Sequence, residues 1–77
     1  MAKNLCVFTD GGAKGNPGPA AVGFIIKDSS GQVLVEKGKS IGRATNNIAE
    51  YRAVIEALHW ILANIKERSL TVNFYLY

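Results

Sequence analysis

Between residues 47 and 67 the apolar residues recur with a helical period, and from residue 70 the pattern switches to alternation, with Leu70, Val72, Phe74 and Leu76 set against Thr71, Asn73, Tyr75 and Tyr77. An amphipathic helix followed at once by a strand leaves few options. The strand must return to a sheet that the helix covers, and a right-handed crossover makes it parallel to an earlier strand. Residues 3–9 are an almost unbroken apolar run, the pattern of a central strand covered on both faces, which residues 11–19 then break with glycine and proline. Residues 20–27 are rich in β-branched and aromatic side chains, Asp28-Ser29-Ser30-Gly31 is a hairpin turn signal, and 33–38 return as a third strand before a polar loop over 39–44. The order predicted is β-β-β-α-β, an α/β fold built from a three-stranded antiparallel meander, a crossover helix and a fourth, parallel strand. On the helical wheel Val54, Ala57, Leu58, Ile61 and Ile65 form the stripe laid on the sheet, and Ser69 ends the helix.

Seventy-seven residues make one domain with no internal repeat or linker, and a domain this small leaves about 40% of its unfolded surface exposed, so its stability is marginal. A 48% hydrophobic and 19% charged composition excludes a disordered or fibrous chain. The net charge of +3 is compatible with a polyanionic partner without requiring one. The apolar run before Thr9 is too short for a signal peptide and no later run has the length of a membrane span, which predicts a cytoplasmic protein. Cys6 is the only cysteine and reads as a small buried hydrophobe.

Two carboxylates stand out. On the wheel Glu50 falls in the sector of Val54, Ala57 and Ile61, which turns a charge toward the sheet. Such a charge is costly unless it is paired, hydrogen-bonded or bound to a metal. The alternative is a capping box, with Asn47 as N-cap and Glu50 reaching back to its amide. Asp10 ends the central strand, close to where the crossover delivers the helix start, and its own alternative is an Asx-type turn onto Gly11 and Gly12. Converging carboxylates suit hard cations such as Mg²⁺ or Mn²⁺, whereas zinc would call for a His or Cys cluster. His59 lies on the far side of the helix from Glu50 and reads as a surface residue, and Trp60 sits at the margin of the buried stripe. The segment Gly15-Asn16-Pro17-Gly18-Pro19 is not a phosphate-binding P-loop, because Lys14 is not followed by Ser or Thr. It reads as a rigid surface turn.

Thr9-Asp10-Gly11-Gly12 followed by Gly15-Asn16-Pro17-Gly18-Pro19, and Thr45-Asn46-Asn47 followed by Ala49-Glu50-Tyr51, resemble in order and separation the type 1 ribonuclease H pattern, in its amino-terminal half. The resemblance covers essentially the whole chain. It implies a ribonuclease H-like fold and metal-dependent endonucleolytic hydrolysis of the RNA strand of RNA/DNA hybrids. Asp10 and Glu50 would be the catalytic carboxylates and metal ligands, Gly11 would let the backbone approach the RNA strand, Asn16 and Asn47 would contact 2′-hydroxyls or base edges, and Thr45 would meet a phosphate. Small polar groups reading a shallow minor groove are what distinguishes a hybrid from other duplexes. Members of the family hold two ions with four carboxylates. The third would stand at Tyr77 and the fourth in a later segment, so the resemblance implies a truncated domain with an incomplete sheet, weak or inactive alone. The strand over 70–77 would then be an apolar edge without Lys or Pro guards, which predicts a homo-oligomer formed through it. The other reading is a non-catalytic remnant of the fold that binds nucleic acid or oligomerises.

Overall fold

The structure, a computed structural model, describes residues 3–67 and 69–76. Its first strand, β1 (Lys3–Ala13), sends Leu5, Val7 and Thr9 to one side, where all three are buried, and Cys6, Phe8 and Asp10 to the other. β2 (Gly18–Asp28) pairs with it antiparallel and alternates in phase, burying Ala20, Val22, Phe24 and Ile26 on that same side. β3 (Val33–Ala44) pairs antiparallel with β2, and after the helix α1 (Asn46–Asn64) the chain returns as β4 (Leu70–Leu76), parallel to β1 from Lys3↔Leu70 to Thr9↔Leu76. The sheet order is β3-β2-β1-β4, so β1 is central and the crossover is the one that the period change requires.

The core is two adjoining clusters between α1 and the sheet. Leu5, Val7, Phe24, Ile26, Ala57 and Ile61 form one, with Trp60 and Ile65 packed against it. Ala20, Val22, Ala49 and Ala53 form the other, toward the helix start. Alanines in that second cluster have little bulk, so the first turns of α1 come very close to the sheet.

Several boundaries differ from those predicted. β1 does not stop at Thr9: Gly11, Gly12 and Ala13 stay in the ladder opposite Val22, Ala21 and Ala20. Nor, among the described residues, is it covered on both faces, since α1 lies on one side, and Cys6 on the other side is half-buried rather than buried. The stretch 39–44 is strand, not loop, because a register shift between Ala20 and Ala21, with Gly42 at φ +80°, lets β3 keep pairing with β2 as far as Ala44. The helix ends at Asn64. Ile65 is already extended, its amide closing on the Ile61 carbonyl, while the Asn64 side chain donates to the Trp60 carbonyl at 2.9 Å. That early exit lets the short connection reach Lys3, whose amide bonds the Ser69 carbonyl at 3.0 Å.

The buried stripe of α1 is also rotated from the wheel's choice. Ala49, Ala53, Ala57 and Ile61 are buried, Val54 is half-buried and Leu58 is exposed. The helix carries apolar residues on two sides, and the side with the small residues gives the closer fit to the sheet. The hairpin turn is as expected: the Asp28 carboxylate accepts from the Ser30 amide at 2.9 Å, the Ser30 hydroxyl at 2.6 Å and the Gln32 amide at 3.0 Å, with Gly31 at φ +89°.

Candidate active site

Where β1 passes under the first turn of α1, Gly11 has no room for a side chain. A Cβ there would overlap the Ala49 carbonyl and stand 2.8 Å from the Glu50 amide nitrogen. The two backbones touch, and each carries an acid next to the contact: Asp10 precedes Gly11, and Glu50 follows Ala49. Both side chains are exposed. Asp10 lines a surface depression with Phe8, Gly23, Ile25, Glu36 and Lys37, and Glu50 lines a separate one with Asn47, Tyr51 and Val54.

The predicted inward orientation of Glu50 is therefore corrected. Its angle on the wheel is that of the buried sector, but at the first turn the strand beneath it is glycine, and the carboxylate stands at the rim in solvent. The capping-box alternative fails as well. Thr45 is the N-cap, its hydroxyl oxygen accepting from the Ile48 amide at 3.2 Å, and Asn47 lies inside the helix. Asp10 is not a turn former either, because Gly11 and Gly12 belong to the strand ladder.

A bracket of side-chain amides ties the glycine–proline turn to this helix start. The Asn46 side-chain oxygen accepts from the Ala13 amide at 2.7 Å, and the Asn16 side-chain oxygen accepts from the Asn46 amide at 3.0 Å. Gly18 is buried in the same turn, and a Cβ on it would overlap the Lys14 carbonyl. Asn16, Thr45 and Asn47 are thus brought to one neighbourhood, beside the contact between Gly11 and the helix. Asn46 is a residue that sequence reasoning assigned no task. The one available signal was its position directly after a capping Thr, where an amide can reach a strand end.

Glu36 and Lys37 are the charged neighbours in the depression that Asp10 lines. Lys14 and Arg43 are exposed, whereas Lys39 is held by Glu56 at 3.0 Å, and that hydrogen bond is the main reason the Glu56 carboxyl is held below its usual range. His59 is exposed, as expected, and Trp60 packs at the core margin. The expectation placed on Tyr77 lies outside the described residues. Among the described residues no group of three or more His, Cys, Asp or Glu side chains is close enough to hold a metal.

Comparison with known proteins gives this arrangement a family. Ribonuclease HI of Halobacterium salinarum is 55% identical over 51 residues, a stretch that covers 66% of this chain and 26% of that protein. LC11-RNase H1, isolated from compost, superposes with a TM-score of 0.86 at 42% identity over 95% of this chain and 53% of its own. A second structure of that protein, in complex with an RNA/DNA hybrid, gives a TM-score of 0.77 at 41% identity, over 91% of this chain and 53% of its own. The chain thus spans about half the length of these solved relatives and a smaller share of the Halobacterium protein. The ribonuclease H family model matches residues 2–75, and with this sheet order and crossover helix the chain belongs to the type 1 ribonuclease H family.

Proposed function

We propose that this chain supplies the Asp10 and Glu50 half of a metal-dependent ribonuclease H site acting on the RNA strand of RNA/DNA hybrids, and that the 77 residues alone bind the hybrid with weak or no turnover. The observation that carries the reading is the contact of Gly11 with the Ala49–Glu50 backbone, which sets the two acid-bearing positions side by side at one end of the sheet. The relative bound to a hybrid lends it the substrate.

The donors fit a hard dication. Two exposed carboxylates with no imidazole or thiolate beside them are oxygen ligands of the kind that Mg²⁺ or Mn²⁺ prefers. When bound, such an ion polarises the scissile phosphate and lowers the pKa of its water. Asp10 and Glu50 would hold it, and with no third acid gathered among the described residues they would hold it weakly. Weak retention is the basis for expecting little turnover.

The other residues bind and position the substrate. The Thr45 hydroxyl uses its oxygen to cap the helix, which leaves its hydrogen to donate to a phosphate. Asn16 accepts from Asn46 through its oxygen, so its amide NH₂ is the group turned to a substrate acceptor. Asn47 is exposed beside Glu50. Gly11 keeps the surface low where the strand and helix meet.

A labelled RNA/DNA hybrid incubated with the protein and Mg²⁺ or Mn²⁺, beside an Asp10→Asn control, tests the reading. Slow cleavage abolished by Asp10→Asn, or hybrid binding preferred over duplex DNA with no cleavage, is expected. Cleavage that survives Asp10→Asn, or no preference for the hybrid, would contradict it.

A further inference from the structure

The first residue of α1 is Asn46, and its main-chain amide, a donor that the helix cannot satisfy for itself, is met by the side-chain oxygen of Asn16 at 3.0 Å. An N–H group can be met only by the oxygen end of a carboxamide, so this bond fixes which way round the Asn16 amide stands. Its NH₂ is the end left for a partner. The helix dipole favours the same orientation, because it sets the partly negative oxygen against the positive end of α1. The turn that carries Asn16 is itself held. The Lys14 amide donates to the Pro19 carbonyl at 2.8 Å, and the Asn46 side-chain oxygen accepts from the Ala13 amide at 2.7 Å, so one residue ties the strand end before the turn to the helix start. We propose that Asn46 is a positioning residue that locks Asn16 as a donor-only contact, and that the lock makes this contact indifferent to the base sequence of the hybrid. The claim about sequence rests on the nuclease reading; the lock does not.

The chemistry of base edges links the two halves. In the minor groove every base pair offers an acceptor, purine N3 or pyrimidine O2, and the 2′-hydroxyl oxygen accepts as well, whereas among the bases only guanine offers a donor there. An NH₂ fixed outward therefore finds a partner at any step. An amide free to turn would also present its oxygen, and that end selects guanine. Holding the oxygen on Asn46 removes the choice.

Proline at position 46 isolates the lock. Thr45, at φ −85° and ψ 164°, already has the extended backbone that a residue before proline takes, and the first helical position is where proline is best tolerated. Asn46→Pro removes the donor and Asn46→Ala keeps it, while both lose the side chain. The two should match in helix content by circular dichroism. On an rA·dT hybrid, with no divalent ion present so that nothing is cut, Asn46→Pro should bind about fivefold more weakly than Asn46→Ala, the worth of one neutral hydrogen bond. On an rG·dC hybrid the gap should be smaller, because the released oxygen finds the guanine NH₂. Amide exchange of the free protein tests the lock without any substrate. The amide of residue 46 should exchange about fivefold faster in Asn16→Ala than in the unsubstituted chain, and Asn16→Asp, whose carboxylate also accepts, should keep it slow. Equal affinities of the proline and alanine variants for rA·dT, an equal gap on the two hybrids, or exchange at residue 46 that ignores Asn16→Ala would overturn the proposal. An unsubstituted chain that binds neither hybrid, with exchange at residue 46 still dependent on Asn16, would overturn the nuclease reading and the sequence claim with it, and would support the lock.

Discussion

Gly11 is where one missing methyl group decides the most. Its surroundings are backbone atoms of Ala49 and Glu50, which cannot rotate away as a side chain would. Gly11→Ala should therefore lower stability by about 3 kcal/mol, the upper end of overpacking effects, and should weaken hybrid binding through displacement of the helix start. Gly12→Ala is the control. Its Cβ would lie 3.8 Å from the Asn46 side chain, an ordinary contact, so urea midpoints should move by less than about 1 kcal/mol. The sequence singled out Asp10 and Glu50, because each breaks the pattern of its own element. It did not show how tightly Gly11 is held, nor that Asn46 bonds Ala13, since both are contacts between segments more than thirty residues apart.

At the scale of elements the hairpin turn between β2 and β3 carries a pH signature. The Asp28 carboxyl is held below its usual 3.8, chiefly by the Ser30 hydroxyl and then by the Gln32 and Ser30 amides. Those bonds form to the ionised group, so the stability they give is present above the unfolded-state pKa and is lost as pH falls through the lower, folded one. Asp28→Asn should lower the melting temperature at neutral pH and flatten the acid limb, the two profiles converging as pH falls. The result would go against this account if the two profiles ran parallel below pH ~4, where an ordinary Asp titrates. Asp28 and Gly31 were legible because turn chemistry is local. The ends of β1 and β3 were not, since Gly11 to Ala13 and Lys39 to Ala44 become strand only because β2 lies alongside them. Nor could the wheel choose between the two apolar sides of α1, a choice made by the fit of small alanines to the sheet.

The whole molecule is an open sheet, 44 × 20 × 16 Å, with the helix on one face. Its topology was the most legible property of all, because a helix between two strands in one sheet admits essentially one crossover. What the pattern overstated was coverage: the run over 3–9 read as buried on both faces, yet one face carries Phe8 with Lys27 at 5.3 Å from its ring and Tyr75 stacked on it at 5.0 Å. Among the described residues β4 is paired along one edge, to β1, and the stack ties it to β1 on this face. Tyr75→Ala should speed amide exchange in β4 well before β2, which is paired on both sides. Equal acceleration in the two strands would show that β4 is held by something other than this pairing and stack.

Because strand and helix meet at Gly11 with no side chain between them, the separation of the two acid-bearing positions is fixed by main-chain thickness alone. No substitution in the core can lengthen or shorten that ruler by degrees. A partly loosened state that kept its helix and its strands but let them drift apart would lose the spacing at once, so the separation of positions 10 and 50 reports native tertiary packing and not secondary structure.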